Sequence, residues 1–310
     1  MNKKTIISMI VIIAIIFGIY GITKFNGNGA SSEGEKLKVT HQLGETEVPK
    51  NPSRVVVFDY GIVDALSALD VEIIGLPKDG VPKLLSKYED AKYEGVGSLK
   101  EPDMEKVYEL KPDLIIMSGR LEDYYDELNK IAPTIYLGID NTDYLGSFKK
   151  NMETLGEIFN KSKEVKTQVA KVEEAISKVN EKADGVNALI ALANDNAFSV
   201  YGEGSRFGII HKEFGIEAVD KTIESSTHGQ KASFEYILDK NPDYLFVIDR
   251  AAVAGGNTSA KEMFNNEIIK KTDAYKNGNI VYLDAEVWYT ISGGIESTQK
   301  MVNEVLEALK

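Results

Sequence analysis

The stretch Glu105-Lys106-Val107-Tyr108-Glu109-Leu110-Lys111-Pro112-Asp113-Leu114-Ile115-Ile116-Met117-Ser118-Gly119-Arg120 has a twin 130 residues downstream, Glu235-Tyr236-Ile237-Leu238-Asp239-Lys240-Asn241-Pro242-Asp243-Tyr244-Leu245-Phe246-Val247-Ile248-Asp249-Arg250. Glu, Pro-Asp and Arg recur at identical spacing. Each copy reads as a short helix begun by Glu, whose carboxylate suits the positive end of the helix dipole and stays exposed. Proline cannot continue a helix, so Pro-Asp ends it. The apolar run that follows is a buried strand, and the Arg stands just past its C-terminal end, where open α/β sheets place their ligands. A helix–Pro-Asp–strand connection is common and accounts for Pro-Asp alone. It does not account for the matched arginines, so the pair implies a duplicated lobe.

Outward from the first copy, short apolar runs at Arg54–Phe58, Ile73–Leu76 and Ile135–Leu137 are separated by helical-length segments, the pattern of buried parallel strands. Around the second copy, Ala188–Leu192 and Ile280–Leu283 repeat it. Alternation in Lys38–Leu43 before Gly44 predicts an edge hairpin. Between the halves, Ser162 to Lys182 contains no Gly or Pro, and Val165, Val169, Val172, Ile176 and Val179 fall four, three, four and three apart. That is one amphipathic helix, roughly 30 Å long at about 1.5 Å per residue. Met301, Val302, Val305, Leu306 and Leu309 mark a closing helix. The expected fold is α/β, two Rossmann-like lobes joined by one long α-helix with a ligand cleft between them. The expected segments are an anchor or signal plus tether over 1–35, a first lobe over 36–157, the helix over 158–183 and a second lobe over 184–310.

Net charge is −12, which argues against a nucleic-acid partner because phosphate backbones call for a basic surface. There is no cysteine, so disulfides, zinc–thiolate sites and thiol catalysis are excluded. Lys3 and Lys4 precede an apolar run from Ile6 to Ile22, then a Gly/Asn/Ser tether. A cationic start before such a run is a secretion signal or a membrane anchor, and the poor cleavage region at Gly29-Ala30-Ser31 favours the anchor. Either way the remainder is expected outside the cytoplasm.

Of 36 basic residues only four are Arg, at 54, 120, 206 and 250. A chain that uses Lys for surface charge spends Arg where a planar, always ionised, bidentate group is needed. Arg54 opens a strand and is expected to be structural. Arg206 lies in Tyr201-Gly202-Glu203-Gly204-Ser205-Arg206-Phe207-Gly208, which has one residue too many between its last two glycines for a dinucleotide fingerprint and reads as a turn presenting Arg206. Arg120, Arg206 and Arg250 meeting in one cleft would make an anion trap in an acidic protein. Charge-assisted hydrogen bonds contribute about 1.5–3 kcal/mol each. His228, in Ser225-Ser226-Thr227-His228-Gly229, and Tyr289, in Trp288-Tyr289-Thr290-Ile291-Ser292-Gly293-Gly294, stand in loops at the same predicted sheet edge. A lone loop His is ordinarily solvated and an aromatic pair ordinarily packs, so pattern alone leaves both roles open.

Together with Gly97–Asp103, Lys111–Ile116, Gly204–His211 and Asn241–Asp243, these stretches resemble the solute-binding proteins of ABC iron–siderophore importers, closest to the catecholate, petrobactin-type branch. The resemblance runs from about Leu37 to the C-terminus. It implies that Arg120, Arg206 and Arg250 embrace an anionic ferric (Fe3+) catecholate siderophore. It further implies that His228 and Tyr289 fill iron positions left open by a tetradentate ligand, as suits a hard ion. Trp288 would line the cleft. Glu105 and Glu235 would dock, one per lobe, on arginines of the ABC permease. The chain would be a monomeric carrier without intrinsic cofactor and not an enzyme; no Gly-x-Ser-x-Gly elbow, P-loop or metal-hydrolase motif is present. Many Gram-positive relatives carry a lipobox cysteine, which this chain lacks, so it is expected not to be a lipoprotein, and retention would rest on the N-terminal segment or be absent after signal cleavage. A haem or cobalamin carrier of the same architecture is the alternative, although it does not ask for three strand-end arginines.

Overall fold

The structure, a computed structural model, describes residues 35–226 and 228–310. The apolar run over 6–22 and the tether after it lie outside the described residues. Among those described, no helix is long and apolar enough to cross a membrane.

The chain opens with the hairpin β1 (Lys36–His41) and β2 (Gly44–Pro49). A first sheet follows, built from β3 (Val55–Val57), β4 (Gly75–Leu76), β5 (Glu94–Gly95), β6 (Leu114–Met117) and β7 (Thr134–Tyr136) in the order β5-β4-β3-β6-β7, all parallel. Its helices are α1 (Tyr60–Ala68), α2 (Met104–Leu110), α3 (Tyr125–Ile131) and α4 (Tyr144–Ile158). The expected inter-lobe helix is α5 (Ser162–Ala183), with Val165, Val169, Val172, Ile176 and Val179 buried. The second sheet comprises β8 (Asn187–Asn194), β9 (Ala197–Tyr201), β10 (Glu217–Ala218), β11 (Gln230–Lys231), β12 (Tyr244–Asp249) and β13 (Ile280–Leu283). Its order is β11-β9-β8-β12-β13, with β10 also on β8. Helix α6 (Phe234–Lys240) leads into β12, and α7 (Ile295–Ala308) closes the chain.

The duplication is visible in detail. β4-β3-β6-β7 in the first sheet corresponds to β10-β8-β12-β13 in the second, all pairs parallel. Both α2 and α6 end in a left-handed residue, Lys111 at φ 46° and Asn241 at φ 44°. The following Asp then ties its strand to the neighbouring one. Asp113 accepts from the Ser53 and Arg54 backbone N–H groups at 2.8 and 2.9 Å, and Asp243 accepts from the Asn187 N–H at 3.1 Å. Pro-Asp is therefore a strand-registering device as well as a helix stop. Arg54 is structural, donating to the carbonyls of Leu110 and Lys111 at the end of α2.

Successive strand residues point to opposite faces, and both faces of each sheet are covered, which is why the runs read as uniformly apolar. Val56, Phe58, Ile115 and Met117 serve a core on the outer face of the first sheet, and Leu189, Ala191, Leu245 and Val247 one on the second. The inner faces share a single core that includes Val55, Ile116, Val172, Ile190, Phe246 and Val302. The closing helix α7, counted by sequence with the second lobe, packs on α1 of the first lobe and on α5. Strands β9 and β11 add an antiparallel edge to the parallel strands of the second sheet, β9 pairing with β8 and β11 with β9.

Gly61 on α1 is where this packing tolerates no side chain. A Cβ there would overlap the Ser292 carbonyl oxygen and come within 3.1 Å of the Gly294 nitrogen. Ala gains helix propensity over Gly, about 1 kcal/mol, but overpacking costs about 1–3 kcal/mol. Gly61→Ala is expected to lower the urea midpoint, and a raised midpoint would show the contact is loose.

Candidate functional site

The strand ends of both sheets face one cleft. Beyond β3, Asp59 caps α1, accepting from the Ile62 N–H at 3.0 Å, and takes the Ser118 hydroxyl at 2.6 Å. Beyond β6 come Ser118, Gly119 and Arg120, and beyond β7 Gly138, Ile139 and Asn141. These residues, with Tyr136, Tyr144, Arg206, Thr290, Ser292 and Gly293, line a cavity of about 380 Å³. A neighbouring one of about 620 Å³ continues along Ile139–Thr142 to Gly204, Ser225 and Ser226.

The three arginines converge on one residue, Tyr289. From the first lobe, Arg120 Nη2 donates to the Tyr289 carbonyl at 3.3 Å; from the second, Arg206 Nη2 donates to the same oxygen at 2.9 Å. Arg250 Nε donates to the Tyr289 phenol at 2.9 Å and Nη1 to Asn194 Oδ1 at 2.7 Å. The Arg206 guanidinium lies 4.4 Å from the centre of the Tyr289 ring and 5.1 Å from that of Phe207, both within cation–π range. All these partners are uncharged in their ordinary state. Among the described residues no carboxylate forms an ion pair with any of the three.

The Arg206 turn is held by its own backbone. Ser205 Oγ donates to the Gly202 carbonyl at 2.7 Å, and Gly208 N–H to the Ser205 carbonyl at 2.9 Å. Gly208 sits so close to the Glu203 carbonyl that a Cβ would overlap it, which explains the glycine.

The cluster tunes Tyr289. Burial pushes its phenol up, but the hydrogen bond and charge of Arg250, then the charges of Arg206 and Arg120, outweigh burial and hold the pKa below the ordinary tyrosine value. Tyr136 and Tyr144, which share the cavity wall, are pushed the other way by burial, Tyr144 to about 12. Tyr289 is thus poised to ionise where its neighbours are not. Burial also lowers Arg206, with the nearby Tyr289 acting against it. A guanidinium starts so far above neutrality that it stays charged.

His228 is exposed, in the turn that carries Ser225 and Ser226, and its backbone N–H donates to Ser226 Oγ at 3.2 Å. Ser225 Oγ donates to the Gly204 carbonyl, so this turn leans on the Arg206 turn. Thr227 lies outside the described residues. The imidazole makes no hydrogen bond to the cluster among the described contacts. Trp288 departs from expectation. It is 1% exposed and its indole N–H donates to Glu304 Oε2 on α7 at 2.7 Å. The cause is the π-helical turn Glu286–Thr290, which sends Trp288 into the core while Tyr289 faces the arginines. Trp288 is therefore not a wall of the cleft. Glu105 and Glu235 stand in the first turns of α2 and α6, both exposed and neither in an ion pair among the described residues. Asp59, Asn141 and Asn194 were not singled out by sequence. Asp59 carries a helix-capping signature, whereas a strand-end Asn such as Asn194 gives no signal.

A tyrosine phenolate and one imidazole cannot complete the coordination of a hard trivalent ion. Any iron held here would bring most of its own oxygen ligands.

The sequence matches the family described as periplasmic binding protein over residues 55–287. It is 45% identical to the petrobactin-binding protein YclQ of Bacillus subtilis, with 100% of both chains covered. The crystal structure of that protein superposes with a TM-score of 0.87 at 48% identity, covering 89% of this chain and 99% of the other. The ferric-anguibactin-binding protein FatB of Vibrio anguillarum is 35% identical over 87% of each chain. The periplasmic catecholate-siderophore binding protein VctP of Vibrio cholerae gives a TM-score of 0.84 at 35% identity, covering 87% of this chain and 99% of the other. Bacillus subtilis relatives at 29% and 30% identity are described as lipoproteins.

Proposed function

The chain belongs to the periplasmic binding protein family, and on that footing we propose that it is an extracytoplasmic carrier that captures an anionic ferric siderophore of catecholate type and delivers it to an ABC permease. The observation that carries this reading is the convergence of Arg120, Arg206 and Arg250 on Tyr289 with no carboxylate to neutralise them among the described residues. Uncompensated guanidinium groups in a half-buried cleft favour an anion. Iron(III) with two catecholates carries one net negative charge and leaves two coordination positions open. The Tyr289 phenol, already pulled toward ionisation, and the His228 imidazole are the groups proposed to fill them. His228 would have to swing inward from its exposed turn to do so. Relatives named for petrobactin and ferric anguibactin favour this cargo over haem or cobalamin.

Membrane retention is proposed to rest on the apolar run over 6–22, because the 310 residues hold no cysteine for lipid attachment. Glu105 and Glu235, exposed on equivalent helices of the two lobes, are proposed to contact permease arginines. The protein reconstituted with its permease in proteoliposomes should show ATP hydrolysis stimulated by ferric bis-catecholate. Glu105→Ala/Glu235→Ala should leave ligand affinity within about twofold and cut that stimulation by about tenfold or more, as loss of charged interface contacts does. Full stimulation by the double variant would remove these residues from docking.

A further inference from the structure

Behind the Tyr289 turn lies a buried carboxylate to which cargo binding gives no role. Asp64, on α1, is 1% exposed. Its Oδ2 accepts from the Ser297 backbone N–H at 2.8 Å and lies 2.8 Å from Ser297 Oγ, while Oδ1 has no hydrogen-bond partner among the described residues. Ser297 Oγ is also 3.0 Å from the Ile291 carbonyl and accepts from the Gly294 N–H at 3.2 Å. Ile291 ends the turn that carries Tyr289, and its own N–H returns to the Glu286 carbonyl at 3.0 Å. On the other side, Tyr144 of α4 accepts from the Gly293 N–H at 2.9 Å and pairs with Thr298 Oγ1 at 3.1 Å. Two first-lobe side chains thus grip the Gly293-Gly294 corner. A Cβ on Gly294 would overlap Asp64 Oδ2.

A hydroxyl has one proton to give. Ser297 can satisfy Asp64 or the Ile291 carbonyl at any moment, but not both. Ionised Asp64 takes that proton. Protonated Asp64 can donate to Ser297 Oγ instead, which frees the hydroxyl to turn to Ile291 and tighten the corner.

We infer that Asp64 is a positioning residue for the ligand site, setting the 291–297 corner, and with it the carbonyl and phenol of Tyr289, through the Ser297 hydroxyl. The consequence for cargo rests on the siderophore reading, whereas control of the corner does not. Burial pushes Asp64 up to about 6; the Ser297 hydrogen bonds oppose this and the charge of Glu296 adds to it. The other titratable groups facing it are Tyr88, beside α1, and Tyr144, both pushed up to about 12 and so silent in this range. The folded-state value lies above the ordinary one, so stability from this group is present at low pH and is lost as pH rises through about 6.

Trp288, the only tryptophan, sits in the same turn and reports on it without any ligand. In the full chain without cargo, a pH titration of its emission should show a step near 6. Asp64→Asn and Ser297→Ala should each abolish the step, and Glu296→Gln should only shift it. Ser297→Ala should also weaken ferric bis-catecholate about tenfold, as loss of one well-placed hydrogen bond does. Because burial also raises Glu304, the indole's partner, the comparison is made in a Glu304→Gln background; a step that survives there in Asp64→Asn would overturn the inference, as would unchanged affinity in a folded Ser297→Ala. If wild type binds no siderophore but the step behaves as stated, the cargo reading fails and the control of the corner stands.

Discussion

Arg206→Ala is expected to weaken binding of a ferric bis-catecholate by about ten- to a hundredfold, the equivalent of one lost charge-assisted hydrogen bond of about 1.5–3 kcal/mol. Arg206 meets Tyr289 through the carbonyl and across the ring face at 4.4 Å, closer to the ring than Arg250 at 5.6 Å. Its removal leaves that carbonyl to Arg120 alone, at 3.3 Å. Arg206→Lys should fall between wild type and Ala, because an ammonium keeps the charge and loses the planar two-point donor. Arg54→Ala is the matched control, since Arg54 serves helix α2 and not the cleft. It should shift the unfolding midpoint and leave affinity unchanged. Equal affinity in wild type and Arg206→Ala would move Arg206 out of the site.

Tyr289→Phe combined with His228→Ala should discriminate between cargoes. A tetradentate bis-catecholate leaves two iron positions for the protein, and the double variant should bind it on the order of a hundredfold more weakly, losing a charged ligand and a neutral one. A hexadentate tris-catecholate leaves none, so its affinity should stay within about threefold, carried by the arginines. Competitive titration of both ligands against each variant gives the comparison. Parallel losses for the two cargoes would show that Tyr289 and His228 act by shape or packing and not by ligating iron.

Much of this was legible in the sequence because the features are periodic or scarce. The four-three spacing of valines in α5, the doubled Glu…Pro-Asp…Arg segment and the use of only four arginines each point to structure without reference to distant residues. Where the reading fell short, the missing information is tertiary. Trp288 and Tyr289 are adjacent, and nothing local says that a π-helical turn will bury one against Glu304 and present the other to the arginines. The apolar face of α7 predicted a packed helix but not its partners, which come from α1 and α5. Asp64 looks like an ordinary helix residue until Ser297, 233 positions away, is brought to it. β9 and β11 are an antiparallel addition to the edge of a parallel unit, and such an insertion follows from no repeat. In sequence Pro-Asp signals only a helix stop, whereas in both lobes the Asp also fixes the start of the neighbouring strand.

The cleft around Tyr289 is proposed to be an anion site built for a ferric catecholate. Equilibrium dialysis of the full chain with radiolabelled iron as its bis-catecholate tests it, beside a variant with Arg120, Arg206 and Arg250 all changed to Gln. One equivalent should bind per chain with a dissociation constant of about 1 μM or tighter, near −8 kcal/mol, and the triple variant should lose at least about a hundredfold. Saturable binding that is indifferent to the three substitutions, or no binding by wild type, would contradict it.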